Sequence, residues 1–162
     1  MEMELLHLTA VPEGTGPAGA LKVAGKDELE LVGGWRAAAI VEMGLPAVEL
    51  EHNRDTAASQ VDRGEIVLWQ VDGEPVSMAG IVPTALDGRG GRVGLVYTPP
   101  EHRHRGHARA CVTALTRRLL QDGWRYCLIF ADTGNPVTRR LYRDIGYRPI
   151  GVFRQIAFAP GD

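Results

Sequence analysis

Val93-Gly94-Leu95-Val96-Tyr97-Thr98-Pro99-Pro100-Glu101-His102-Arg103-His104-Arg105-Gly106-His107-Ala108 decides how this 162-residue chain is read. The apolar first half has the composition of a strand and stops at two prolines, which bring no N–H to a ladder. An Arg/His-rich turn follows, with Gly106 and Ala108 two apart, and an amphipathic pattern begins straight after it. A strand, a small-residue turn and a helix N-terminus together make an anion site, because the first N–H groups of a helix have no acceptor within it.

Downstream, Ala108 to Gln121 places Ala108, Cys111, Val112, Leu115 and Leu119 on one helical face, with Gly123 beyond its end. Arg125 to Ala131 is a continuous apolar run, which predicts a strand buried on both faces. Asn135 is placed to cap a last helix, with Pro136 at its first position and Gly146 just past its end. Val137, Leu141 and Ile145 form the predicted stripe of that helix, and a final strand is expected from about Ile150 to Phe158.

Upstream, Glu65–Val71 and Pro75–Pro83 read as strands joined by a tight turn at Asp72-Gly73. Gly88 to Gly91 then turns the chain into the strand Arg92–Thr98. A first strand is predicted at Glu4–Ala10 and a helix at Asp27–Met43, with Asp27 as its cap and Glu30 three residues on. Gly33-Gly34 should weaken or bend that helix. A second helix is expected from about Arg54 to Arg63, closed by Gly64. Gly14-Thr15-Gly16-Pro17-Ala18-Gly19 spells the dinucleotide fingerprint, yet a short apolar stretch rather than a helix follows it, so it reads as a loop.

Hydrophobic residues are 44% and charged residues 23%, ordinary for a globular protein, and no linker or repeat interrupts the pattern. The formal net charge of −2 leaves no basic excess for a run of nucleic-acid phosphates. Positive charge is instead local, on Arg103, Arg105 and Arg109, which suits a small anionic ligand. Cys111 and Cys127 fall in an apolar helix stripe and inside a strand, and read as small core residues. The N-terminal Met1-Glu2-Met3-Glu4 lacks the layout of a signal peptide, and no apolar run approaches the ~18 residues of a membrane span. A cytoplasmic protein is expected.

Two local motifs stand in order on these elements. Arg103-His104-Arg105-Gly106-His107-Ala108 fits the pattern Q/R-x-x-G-x-G/A. Asn135 is followed seven residues later by Tyr142, and then by Gly146-Tyr147. With the strands between them, these motifs resemble the GNAT family of acyl-CoA-dependent N-acetyltransferases, most clearly from about Glu65 to Phe158. The resemblance implies a single α/β domain over residues 1–162. It further implies a mixed central sheet of about six to seven strands, about four flanking helices, and a gap between strands that holds acyl-CoA.

For a member of that family, the N–H groups from His104 to Arg109 would converge on the pyrophosphate of coenzyme A. Gly106 and the small Ala108 would allow close approach, and Arg103, Arg105 and Arg109 would add charge, with His107 between them. Many members carry glycine where this chain has His104. Val96, Tyr97 and Thr98 would pair with the pantetheine arm, and a backbone N–H there would polarise the thioester carbonyl. Asn135 would touch the arm as well as cap its helix.

Tyr142 is the catalytic candidate: a phenol of pKa about 10 is protonated at neutral pH and can supply a proton to a departing thiolate of pKa about 8.5. It sits one residue off the predicted stripe, at the margin of the buried face. Its competing reading is an amphipathic tyrosine packed at a helix edge.

Glu42, Glu101 and Asp132 are candidates for the base that neutralises the incoming amine, and none stands above the others. Trp35, Glu42, Glu49 and Glu51 could attract a cationic acceptor. His102, His104 and His107 invite a metal reading, but the interleaved arginines repel a cation, so no metal is expected. The expected co-substrate is acetyl-CoA and the partner an amine, with no nucleic acid or membrane, in a monomer or homodimer. The alternative is a non-catalytic acyl-CoA-binding, sensing or interaction module of the same fold.

Overall fold

The computed structural model describes residues 2–13, 17–45, 50, 52–83 and 89–154. In chain order, β1 (Glu2–Leu8) and β2 (Ala20–Val23) precede α1 (Leu29–Glu42) and α2 (Asn53–Asp62). Then come β3 (Ile66–Val71), β4 (Glu74–Pro83), β5 (Gly90–Tyr97), α3 (His107–Gln121), β6 (Tyr126–Asp132), α4 (Pro136–Ile145) and β7 (Arg148–Arg154). The strands form one mixed sheet in the order β2-β3-β4-β5-β6-β1-β7, in which only β5 and β6 run parallel. This is the expected α/β class.

The Asp72-Gly73 turn takes positive φ at both residues (51° and 83°), the geometry that matches the twist of the strands it joins. Strand β2 was not foreseen. It is a short edge strand paired with β3 from Ala20↔Gln70 to Val23↔Val67, and one polar residue in four hides its alternation.

The predicted first helix begins differently from the expectation. Asp27 caps nothing; a short 3-10 turn at Lys26–Glu28 comes first, and the Glu28 carboxylate accepts the Gly25 N–H at 2.7 Å. The box is therefore shifted toward the chain start. Helix α1 runs unbroken through Gly33-Gly34, and the Gly33 carbonyl accepts Asn53 Nδ2 at 2.9 Å, which docks α2 on α1.

Two apolar clusters lie on opposite faces of the sheet. One joins Cys111, Val112 and Leu115 of α3 with Val93, Ile129, Ala131, Leu6 and Leu8, and with Tyr142 and Ile145 of α4. The other joins Val32 and Ala39 of α1 and Ala57 and Val61 of α2 with Ile66, Leu68, Met78 and Tyr97. Strand β6 is thus not buried on both faces as predicted. Cys127, Ile129 and Ala131 are buried, but Leu128 and Phe130 on the α1 side are only half-buried.

Helix α4 also departs from its predicted stripe. Val137 is 74% exposed, while Thr138, Leu141, Tyr142 and Ile145 form the inner face. The apolar letter at Val137 misled because Pro136 and Asn135 place that first turn at the rim. Strand β7 begins two residues earlier than expected, and the stretch from Gln155 to Phe158 lies outside the described residues. No helix among the described residues is long and apolar enough to cross a membrane.

Candidate active site

Strands β5 and β6 part company halfway along. Their pairing runs from Gly90↔Tyr126 to Val93↔Ile129 and stops, although β5 continues to Tyr97 and β6 to Asp132. A bulge explains the divergence. Leu95 has φ 49°, and the β4–β5 register shifts between Met78↔Tyr97 and Gly80↔Gly94, which bends β5 away from its parallel neighbour. The edge of β5 facing β6 across Val96 and Tyr97 is left without a strand partner, as the expected gap requires. Ser77 fixes the strand's end: its buried hydroxyl donates to the Tyr97 carbonyl at 3.0 Å and lies 2.9 Å from the Thr98 hydroxyl.

Pro99 and Pro100 stop β5, and the chain turns through Arg103–Gly106 into α3. His104 (φ 61°) and Gly106 (φ 80°) both sit in the left-handed region. Gly106 is the N-cap, and Ala110 is the first residue whose N–H reaches a helix carbonyl, that of Gly106 at 3.0 Å. The amides before it point out of the helix end. His104 is exposed, so its side chain meets solvent, and the cost of a non-glycine residue at positive φ is carried by the backbone alone.

His107 is 9% exposed, its Nδ1 is buried without a hydrogen-bond partner among the described residues, and its ring stands edge-on to that of His102 at 6.4 Å. Burial, helped by the charges of His102 and Arg105, lowers its pKa and favours the neutral ring. Ala108 is half-buried, and Arg105 is exposed beside it. The Arg109 guanidinium approaches the Asp144 carbonyl at 3.5 Å and lines a cleft along α3 with Thr113, Arg117, Trp69 and Asp144. The Trp69 indole N–H in that cleft is also buried without a partner among the described residues.

Arg103 lies elsewhere. Its Nε donates to the Thr98 carbonyl at 2.8 Å, and one terminal nitrogen donates to both oxygens of Glu42 at 2.7 and 2.9 Å. The guanidinium also stands 5.8 Å over the Tyr97 ring. These contacts tie the turn to the end of β5 and to α1, and Glu42 is engaged in the same grip. Burial, with the Glu42 charge, raises the Tyr97 phenol above its usual pKa.

On the far side of the gap, Asn135 caps α4 through Oδ1, which accepts the Thr138 N–H at 3.1 Å. Tyr142 is 5% exposed within the α3/α4 cluster and stands edge-on to Tyr147 at 6.2 Å. Burial raises its pKa well above that of a free phenol, so the hydroxyl holds its proton. Tyr147 is fully buried, and its hydroxyl lies 2.8 Å from that of Thr116 on α3. Ser77 and Thr116 were missed by sequence reasoning. Nothing in their local pattern distinguishes a hydroxyl that bonds across the sheet from one that faces water.

Glu101 is exposed, and Asp132 accepts the Gly134 N–H at 2.9 Å in its own turn. Trp35 packs at 6.3 Å from the Tyr97 ring, whereas Glu49 and Glu51 lie outside the described residues. Both cysteines are free and buried, their thiols pushed up to about 12 by burial. Among the described residues, no group of three or more histidine, cysteine or acidic side chains is arranged to hold a metal ion.

Solved structures share this fold. An acetyltransferase of the GNAT family from Colwellia psychrerythraea superposes with a TM-score of 0.73 at 15% identity, over 91% of this chain but 52% of that one. The chain therefore spans about half the length of that structure. A GCN5-related N-acetyltransferase from Ralstonia eutropha JMP134 matches with a TM-score of 0.67 at 21% identity, over 86% of this chain and 99% of that one. A predicted acetyltransferase from Clostridium acetobutylicum, solved with acetyl-CoA, matches with a TM-score of 0.65 at 16% identity, over 86% and 96%. No curated protein sequence matches the chain. The sequence model of the Acetyltransferase (GNAT) family matches residues 35–147, from within α1 to the second residue after α4. The chain belongs to the GNAT acetyltransferase family.

Proposed function

We propose that this chain is a single N-acetyltransferase domain, acting in the cytoplasm, that moves the acetyl group of acetyl-CoA to a primary amine by direct attack. The carrying observation is that the β5–β6 pairing ends at Val93–Ile129 beside the open N-terminus of α3. The residues present fit acetyl-CoA: a left-handed Gly106, outward amides, an orphaned His107 Nδ1 and the arginine-lined cleft along α3 suit a phosphorylated ligand.

Acetyl-CoA, when bound, supplies an acetyl group activated as a thioester. The backbone of His104–Arg109 would hold its pyrophosphate, with charge from Arg105 and Arg109. Arg103 keeps the turn in place from behind. The free edge of β5 at Val96 and Tyr97, with Thr98 following, would receive the pantetheine arm, and an amide there would steady developing charge on the carbonyl oxygen. Asn135 would flank the arm from the other wall. Tyr142 keeps its proton through burial and would deliver it to the departing sulfur. The two cysteines are buried and protonated at neutral pH, which supports direct transfer without an acyl-enzyme.

Calorimetry with acetyl-CoA, followed by an amine screen read by release of the CoA thiol, tests this reading. Micromolar binding and thiol release with an amine are expected. Binding without release from any amine would favour an acyl-CoA sensor, and absence of binding would overturn both readings.

A further inference from the structure

The sheet face on the α1 side is covered unevenly. Helix α1 lies over β5, where Trp35 meets Tyr97, but α3 and α4 pack on the opposite face. Past β5 the α1-side face is an aromatic surface: Phe130 of β6 and Phe153 of β7 meet edge-on at 5.6 Å and 85°, and Phe153 is 49% exposed. Glycine at 94 opens the way to it. A Cβ on Gly94 would meet no heavy atom of the described residues within 4 Å, so among them there is room on this face where β5 and β6 separate.

Arg92 lies two residues before Gly94 and, by strand alternation, on the same side. It pairs in register with Leu128, one step below the last β5–β6 pair. Its side chain is half-buried, and its guanidinium stands 5.4 Å over the Phe130 ring. It makes no ion pair or hydrogen bond to any described residue. Arg63, Arg103, Arg139 and Arg143 each have a carboxylate. An aromatic face compensates only part of the hydration that a half-buried guanidinium gives up. The guanidinium's forked donors are of a kind that suits a planar anion.

We propose that Arg92 is a specificity-determining residue that binds a carboxylate on the acceptor, so that the substrate class is a small amine also bearing a carboxylate. This rests on the acetyl-transfer reading above. The amine would enter over Gly94 toward the gap, with the carboxylate held against Arg92 and the apolar remainder on Phe130 and Phe153. An acceptor without the anion would leave the guanidinium unpaired in the complex, which is the stronger source of discrimination.

The test uses the purified full chain, acetyl-CoA and a panel of free amino acids, each matched with its own carboxamide, read by CoA thiol release. Wild type is expected to favour the carboxylate member by about 30-fold in kcat/KM, within the range of a single charge-assisted hydrogen-bonded pair. Arg92→Met keeps a stem on Phe130 but removes the charge. It should bring the ratio close to one through KM, with acetyl-CoA affinity by calorimetry and the melting temperature unchanged. Arg92→Lys should restore part of the preference, and Gly94→Val, by filling the entry, should slow both members together. Equal use of both members by wild type would overturn the proposal. So would a preference that survives in Arg92→Met, or turnover confined to amines outside the panel. Failure to bind acetyl-CoA at all would instead strike the acetyl-transfer reading, so the two failures are separable.

Discussion

Arg103 and Glu42 are held together at 2.7 and 2.9 Å although they stand 61 residues apart, one in the turn before α3 and the other at the end of α1. The pair fastens the turn before α3 to the C-terminal end of α1. Both side chains are more than a third exposed (36% and 48%), so the ion pair itself contributes no more than about 1 kcal/mol. Its expected value is positional. Arg103→Met should lower the melting temperature by only about 2–4 °C. It should weaken acetyl-CoA binding more than Glu42→Gln does, because Arg103 also holds the Thr98 carbonyl. Equal affinities in wild type and Arg103→Met would show that the turn does not need this fastening.

The two left-handed residues of the turn should respond oppositely to substitution. His104 already bears a Cβ at φ 61°, so His104→Gly is expected to bind acetyl-CoA within about twofold of wild type, whereas β-branched His104→Val should cost about 1–2 kcal/mol in urea unfolding. Gly106→Glu sets a carboxylate and a strained φ at the cap, and calorimetry should find acetyl-CoA affinity reduced beyond detection. Retained affinity in Gly106→Glu would remove the turn from the binding site.

Tyr142→Phe removes the hydroxyl from a site that already excludes water. The expected result is unchanged acetyl-CoA affinity with kcat lower by ~10²-fold, the modest end of general acid catalysis. Because burial raises the phenol's pKa above about 10, wild-type kcat should not decline between pH 8 and about 10 through loss of this proton. A single-turnover rate in Tyr142→Phe equal to that of wild type would end its catalytic role.

The same raised pKa values have a stability consequence at alkaline pH. Tyr142 and Tyr147 keep their protons in the folded chain beyond the point where the unfolded phenols lose theirs, near pH 10. Their contribution is therefore complete below about pH 10 and is lost as pH rises above it, since the unfolded state then binds fewer protons. Urea midpoints measured at pH 9 and pH 11 should fall more for wild type than for Tyr147→Phe.

Thr116 and Tyr147 give a direct measure of the buried hydroxyl pair that joins α3 to the end of α4. Thr116→Val strands the Tyr147 hydroxyl and should cost about 1–3 kcal/mol, while the double variant Thr116→Val/Tyr147→Phe should recover part of that loss. Additive losses would show the 2.8 Å contact to be energetically silent.

What was legible in the sequence was mostly punctuation and period. Asp72-Gly73, Pro99-Pro100, Asn135-Pro136 and Gly146 mark turns and caps through their own backbone preferences, so the elements from β3 onward were readable to within a few residues. What was not legible depends on partners far along the chain. The apolar letters of β6 could not reveal that helices cover one face and leave Leu128 and Phe130 half-open. The basic turn suggested three arginines facing a ligand, but Glu42, 61 residues earlier, captures Arg103. Val137 looked like core because period ignores where a helix meets the rim, and Asp27 looked like a cap although the box closes two residues earlier, where Glu28 reaches back to the Gly25 N–H. The positive φ of His104 is a backbone property that a histidine letter does not announce.

Strand β1 lies between β6 and β7, with Leu5 opposite both Phe130 and Gly151. Glu4 on that strand also takes Arg143 of α4 at 2.9 Å. The last strand of the described chain is thus seated on the first, and neither neighbour of β1 exists until most of the chain has been made. Closing so long a loop is slow, because its entropy is spent before any contact is gained. Assembly of this half of the sheet should therefore be the late step of folding, with β1 left unpaired during synthesis until β6, more than a hundred residues later, has emerged.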